Sequence, residues 1–321
     1  MKDQYGRNID YLRLSITDRC NLRCRYCMPE GCHWLPMEEI LTMEELVTVT
    51  AVAAELGIRR VKVTGGEPLV RKGCPELVAA LKAVPGIEQV TLTTNGIVLA
   101  QHVTALGKAG LDAVNISLDT LNPDTFRQIT GADALTQVLK GLDAALEQGL
   151  TVKVNAVLQK GVNEDHWPAL LELARSRPLD VRFIEMMPIG YARTFQSSSN
   201  EVLRTQIEAT YGPLKPDNTV HGNGPAVYWR LPGFLGSVGF ISAIHGKFCQ
   251  SCNRVRLTST GFLKGCLCYE TGADLRAPLR HGNLEEVRER FQRLVFHKPR
   301  AHCFEEPGQV TERREMSKIG G

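Results

Sequence analysis

The feature that most limits how this chain can fold is a sixfold alternation of strand-like and helix-like segments through its first two thirds. Residues 12–17 alternate apolar and polar side chains, the period of a β-strand. Strand-like segments recur at 59–64, 90–94, 113–118, 151–157 and 180–185, with helical stretches between them. Thr42-Met43-Glu44-Glu45 is a capping box that opens the first helix, and Gly57 stands where a helix would end. Serial βα units imply a parallel sheet with helical crossovers, either doubly wound or a partial barrel. Both arrangements bind ligands at the carboxyl ends of their strands. The pattern changes after about residue 210. Pro and Gly punctuate 211–225, short strand-like pieces follow at 227–231, 237–243 and 255–264, and 283–296 reads as an amphipathic helix. The tail over 299–321 is polar with weak periodicity. We therefore expect an α/β unit over 1–210, a β-rich region over 211–298 and a tail.

Composition narrows the setting. A net charge of +3 over 321 residues is too small a bias to call for nucleic acid. The start, Met1-Lys2-Asp3-Gln4, lacks an apolar stretch, and no run is long and apolar enough for a membrane helix. The expected setting is the reducing cytoplasm. Ten cysteines there read as metal ligands or reactive thiols rather than as disulfides.

Six of them fall in two patterns. Cys20, Cys24 and Cys27 follow the first strand with C-x3-C-x2-C spacing. Three thiolates in one short loop can hold three irons of a 4Fe–4S cluster and leave the fourth open to a ligand. A zinc site that borrows Cys32 or His33 is the alternative, although zinc sites more often pair C-x2-C units. Cys249, Cys252 and Cys266 repeat the theme as C-x2-C-x13-C. Zinc with Cys268 as a fourth ligand is the alternative here. On a strand, Cys266 and Cys268 would point to opposite faces, which argues against it.

Cys20, Cys24 and Cys27 together with Tyr26 resemble the signature of the radical S-adenosylmethionine (SAM) superfamily, C-x3-C-x-aromatic-C. The string Val63-Thr64-Gly65-Gly66-Glu67-Pro68 resembles its GGEP loop, in which two glycines suit a close backbone approach to a ligand. The second cysteine set, with Arg254-Val255-Arg256 within it, narrows the resemblance to the molybdenum cofactor biosynthesis protein A family, the GTP 3′,8-cyclases. It covers 10–321.

The resemblance implies an incomplete (βα)6 TIM-like barrel closed by the C-terminal β-rich region. It implies SAM and two 4Fe–4S clusters, on Cys20, Cys24 and Cys27 and on Cys249, Cys252 and Cys266. It assigns SAM contacts to Tyr26, Gly66, Ser117 and Met187. It assigns GTP contacts to Arg13, Lys62, Thr93, Lys153, Arg254, Val255 and Arg256, and triphosphate contacts to Arg71 and Arg182. Lys62 stands where the resemblance has arginine, which keeps charge without the bidentate fork. The implied reaction takes hydrogen from ribose C3′ of GTP and joins that carbon to C8, giving (8S)-3′,8-cyclo-7,8-dihydroguanosine 5′-triphosphate. A cyclic pyranopterin monophosphate synthase downstream, a flavodoxin- or ferredoxin-type electron donor and a homodimer are implied with it. The closing Gly320-Gly321 is expected to reach the active site.

The residues themselves agree in part. Basic side chains pointing into a barrel need an anion to offset their desolvation, and the chain has neither a Walker A sequence nor a strand–G-x-G-x-x-G–helix unit. Any nucleotide site must then use side-chain cations. Cys32, Cys74, Cys268 and Cys303 lie outside both patterns and are expected to be packing thiols. A peptide-modifying radical SAM maturase and a zinc-stabilised binding protein are the rival readings.

Overall fold

The computed structural model describes residues 1–29, 31–196 and 198–320. The alternating segments form β1 (Tyr11–Ser15), α1 (Met43–Glu55), β2 (Arg60–Thr64), α2 (Cys74–Lys82), β3 (Gln89–Thr94), α3 (Leu99–Lys108) and β4 (Ala113–Ser117). Next come α4 (Pro123–Thr130), α5 (Leu135–Glu147), β5 (Thr151–Ala156), α6 (Trp167–Ser176), β6 (Asp180–Ile184) and α7 (Asn200–Tyr211). The capping box at α1 forms in full: Thr42 Oγ1 accepts from the Glu45 N–H at 3.2 Å, and Glu45 Oε2 accepts from the Thr42 N–H at 2.7 Å.

β1 to β6 pair in sequence order, all parallel. Their outward residues, such as Leu12, Leu14, Val61 and Val63, are at most 1% exposed and sit in the core between sheet and helices. Each such burial contributes about 2 kcal/mol as an upper estimate. The inward positions are mostly polar: Arg13, Lys62, Thr91, Asn115, Lys153 and Arg182 all face the interior. A polar interior under an apolar outer face is the reverse of a filled barrel, and it leaves room for a ligand.

The C-terminal strands extend this sheet at both edges and do not form a separate one. They are β7 (Lys215–Pro216), β8 (Val227–Arg230), β9 (Val238–Ile241), β10 (Arg254–Leu257), β11 (Phe262–Lys264) and β12 (Ala273–Asp274). β9 pairs parallel with β6, and β10 pairs parallel with β1. The order is β12-β11-β10-β1-β2-β3-β4-β5-β6-β9-β8-β7, and among the described residues no pairing joins its two ends. The single piece expected over 255–264 is a hairpin, because Thr258 to Gly261 turn the chain back and β10 meets β11 antiparallel. α8 (Arg276–Arg280), α9 (Leu284–Phe296) and α10 (Met316–Ile319) complete the chain, with Asn283 capping α9. Among the described residues no helix is long and apolar enough to cross a membrane.

Candidate active site

Strand alternation builds the site. Arg13 on β1 lies in register between Lys62 on β2 and Arg256 on β10. Thr93, Asn115, Lys153 and Asp180 form a second row across β3 to β6. Apart from Asp180, these side chains line a cavity of ≈ 760 Å3, within the range of small-molecule sites. Arg13, Lys62, Lys153, Arg182, Arg254 and Arg256 all face it. Lys153 Nζ meets Asp180 Oδ2 at 2.8 Å, so part of the charge is balanced internally. The rest is not. Burial, reinforced by Arg182, Arg13 and Lys153, holds Lys62 well below its ordinary pKa. Burial and the charges of Arg13 and Arg254 do the same to Arg256. Arg182 Nε, Arg254 Nε and Thr93 Oγ1 are buried with no partner among the described residues. A polyanion entering this cavity would relieve the mutual repulsion and take up the idle donors.

At the carboxyl end of β1 the cysteine loop arches over the cavity, and Cys20, Cys24 and Cys27 all line it. Burial pushes Cys20 up to about 11, with the Glu67 charge adding to the shift, and Cys27 up to about 12, with Cys20 and Cys32 adding to it. Cys24 is raised well above its ordinary value by burial and then by Cys27. Three thiols that repel one another as anions suit a cationic ligand shared among them. The Tyr26 hydroxyl donates to Asp119 Oδ2 at 2.7 Å, and the Val157 N–H donates to Asp119 Oδ1 at 2.8 Å. Burial raises Asp119 to about 6. Gly65 and Gly66 follow β2 and hold the loop from beside: the Gly66 N–H donates to the Thr17 carbonyl and the Glu67 N–H to the Arg19 carbonyl, both at 2.8 Å. A Cβ on Gly66 would lie 2.4 Å from Arg19 O and 2.6 Å from Asp18 O. The close approach served by these glycines is thus first to the cysteine loop itself.

Cys249, Cys252 and Cys266 line the same cavity from the β10–β11 side. Arg7 fixes their surroundings. Its Nη1 donates to the carbonyls of Cys249 and Arg300, each at 2.9 Å, and its Nη2 to that of Pro299 at 2.6 Å, while Asp3 holds its Nε at 2.6 Å. Burial works against the Cys252 thiolate, but Lys298 and Arg254 outweigh it and hold Cys252 at about 7. The buried Lys298 ammonium also donates to the Gly265 carbonyl. The His302 N–H donates to Cys249 Sγ at 3.4 Å. Among the described residues no three His, Cys, Asp or Glu side chains converge tightly enough for one metal ion. Sets of three soft thiols lining one cavity have the chemistry to ligate several irons, and Cys252 has Lys298 and Arg254 beside it.

Two family profiles match the chain: the Radical SAM superfamily over residues 14–174, and Molybdenum Cofactor Synthesis C over 179–304. Curated proteins named GTP 3′,8-cyclase resemble it throughout. Those of Clostridium perfringens (strain SM101), Pelotomaculum thermopropionicum and Moorella thermoacetica are 42%, 46% and 47% identical, each over 100% of both chains. The chain belongs to the GTP 3′,8-cyclase family. Among solved structures, Streptococcus suis SuiB bound to S-adenosylmethionine superposes with a TM-score of 0.65 over 97% of this chain and 78% of that one. At 14% identity that likeness shows the shared fold.

For a GTP 3′,8-cyclase family member, the cavity gathers most of the side chains picked from sequence. Tyr26, Gly66, Ser117 and Met187 line it with the first cysteine set, and Arg13, Lys62, Thr93, Lys153, Arg182, Arg254 and Arg256 line it below. Three described ones do not line it. Val255 is fully buried on the outer face of β10, because it alternates with its two arginine neighbours. Arg71 turns away, donating to the Ile16 carbonyl and, at 2.6 Å, to the Leu41 carbonyl. It braces the cysteine loop from behind. Gly320 is not a lining residue either, but its carbonyl accepts from Nη1 of the cavity-lining Arg256 at 2.8 Å. Gly321 lies outside the described residues. Cys266 and Cys268 sit in a bend after β11, not on a strand. Cys268 nevertheless faces a satellite core with Phe304, Val310 and Ile319, and its Sγ lies 3.3 Å from that of Cys303. Arg7, Lys298, His302, Asp119 and Glu67 were not singled out from sequence. Only Glu67 carried a local signal, its place in the Gly-Gly-Glu-Pro string. It accepts from the N–H groups of Asn95 and Leu69 and from Thr94 Oγ1, and burial raises it to about 7.

Proposed function

We infer that this chain is a GTP 3′,8-cyclase carrying out the first step of molybdenum cofactor biosynthesis in the cytoplasm. The observation that carries this reading is the meeting of two cysteine triads and six cationic side chains around one cavity. In this reading Cys20, Cys24 and Cys27 would hold one 4Fe–4S cluster, and Cys249, Cys252 and Cys266 would hold a second that helps to bind the guanine of GTP. SAM and a reduced first cluster would supply the radical chemistry that removes hydrogen from ribose C3′ and joins C3′ to C8, with a further electron from the donor and a proton completing the dihydro product.

The chain's own residues bind, orient and shield. Tyr26, Gly66, Ser117 and Met187 surround SAM, with the Tyr26 ring fixed by Asp119. Arg13, Lys62, Thr93, Lys153, Arg254 and Arg256 hold GTP, and Arg182 adds charge for the triphosphate. Their donors are already oriented before the substrate enters, so less reorganisation is needed. A recessed cavity would limit the access of water and side reactions to the radical. Arg256 links substrate charge to the tail through the Gly320 carbonyl. Residues 1–210, 211–298 and 299–321 would serve as barrel, second-cluster region and tail. A flavodoxin- or ferredoxin-type donor, a cyclic pyranopterin monophosphate synthase downstream and homodimerisation complete the proposal.

Anaerobic incubation with SAM, GTP and dithionite, followed by mass analysis, tests the reaction. We expect 5′-deoxyadenosine and the cyclised nucleotide in equal amounts. SAM cleavage without a nucleotide product would overturn the GTP assignment. Iron analysis tests the cofactor assignment: about eight irons per chain are expected if each triad holds a four-iron cluster. In Cys252→Ala, SAM binding should persist while GTP turnover is lost.

A further inference from the structure

His302 is 5% exposed and lines the cavity together with Cys249, Cys252 and Cys266. Its ring cannot turn freely. Phe304 stacks on it at a centroid distance of 4.4 Å and 27°, and Phe248 meets it edgewise at 6.2 Å and 68°. Its main-chain N–H is already committed to Cys249 Sγ at 3.4 Å. The Phe304 N–H points at His302 Nδ1 at 3.4 Å, and Glu305 Oε2 lies 3.8 Å from the same atom. An imidazole that accepts at Nδ1 carries its hydrogen on Nε2. That Nε2 is buried and has no partner among the described residues.

A fixed, buried N–H donor without an acceptor is costly, and such groups in native proteins call for an explanation. The cavity that His302 lines is also lined by Cys249, Cys252 and Cys266. The Lys298 charge favours the Cys252 thiolate, and the His302 main-chain N–H donates to Cys249 Sγ, so one sulfur of the set already has a donor from this segment.

We propose that His302 Nε2–H donates a hydrogen bond to a sulfur of the second iron–sulfur cluster and raises its reduction potential. This rests on the reading that Cys249, Cys252 and Cys266 hold such a cluster. Negative charge on a cluster grows when it is reduced, and an N–H dipole aimed at its sulfur stabilises that charge. His302 is then a positioning residue that tunes the second cluster, with no bond to iron.

The test is a redox titration followed by electron paramagnetic resonance on the full-length, anaerobically reconstituted protein, without GTP. The first cluster is recognised by its response to SAM. Iron is counted beforehand, and a wild type with only one cluster would remove the second-cluster reading and this proposal with it. With both clusters present, His302→Phe should move the second potential to more negative values and leave the first unchanged. His302→Gln, which keeps an N–H donor, should restore most of the shift. If the phenylalanine ring impairs assembly, His302→Met replaces it with the same expectation. An unchanged second potential, equal shifts of both clusters, or a shift seen only when GTP is bound would overturn the proposal. The last of these would assign the donor to the nucleotide.

Discussion

Arg256 and Val255 are neighbours on β10 with opposite surroundings, one facing the cationic cavity and the other in the apolar core. Their alanine variants should therefore fail in different ways. Arg256→Ala should weaken GTP binding about 10- to 100-fold, the scale of a lost charge-assisted hydrogen bond, and leave SAM binding nearly intact. Val255→Ala should leave ligand affinities alone and lower stability by roughly 1–3 kcal/mol. Anaerobic calorimetric titration and thermal melts separate the two, and equal loss of SAM and GTP binding in Arg256→Ala would point to a general folding role. Glu312 gives a pH-dependent counterpart. Burial opposes its charge, but hydrogen bonds from Arg314 and Lys264 prevail and lower it from an ordinary 4.5 to about 2. A depressed carboxyl pKa stabilises the fold above the unfolded value, and that contribution fades as pH falls through the folded value. The melting-temperature gap between wild type and Glu312→Gln should thus be full at neutral pH and shrink between pH 4.5 and 2. A constant gap across that range would mean that the charge contributes nothing.

Among the elements, the loops after β1 and β2 act as one unit. The second holds the first through main-chain hydrogen bonds at Gly66 and Glu67, and Arg71 braces it from the other side. Gly66→Ala would drive a methyl group into two carbonyl oxygens of the cysteine loop. Backbone cannot rotate aside as a side chain can, so the loop must shift. Overpacking of this kind costs about 1–3 kcal/mol. We expect a folded variant by circular dichroism whose SAM affinity, measured by equilibrium dialysis, falls. Full affinity would show that the loop position does not matter for SAM.

Over the whole molecule, the two ends of the chain converge on the cavity that the middle builds. Arg7 near the start ties the second cysteine loop to residues 298–300. Lys264 and Arg314 anchor the tail through Glu312, and α10 delivers Gly320 between β1 and β2. A Cβ there would lie 2.7 Å from Ser15 Cβ and 2.9 Å from Thr64 Oγ1, and its φ is +89°. Space and backbone conformation both demand glycine. Removing residues 320–321 should leave iron content and SAM binding nearly unchanged. It should lower cyclisation on the order of 100-fold, because small misplacement of reacting groups is costly. Full product formation by the shortened protein would relegate the tail to an ornament of the fold.

The sequence by itself determined what depends on near neighbours. The period of two in the strands, the capping box at Thr42 and the spacing of Cys20, Cys24 and Cys27 all act within a few residues, so the βα order and both cysteine triads were readable. Six strands could be placed for the same reason, whereas the cations of the cavity were named from the family resemblance. Only tertiary structure decided which strand face became an interior, since a polar face reads the same whether it meets solvent or a closed cavity. It also decided that 211–298 adds strands to both edges of one sheet, that Val255 and Arg71 turn away from the cavity, and that Gly66 serves the cysteine loop. Arg7 meets Cys249 across 242 positions of sequence and Lys264 meets Glu312 across 48. No local pattern encodes such pairs, because they form only when the sheet brings distant segments to the same place.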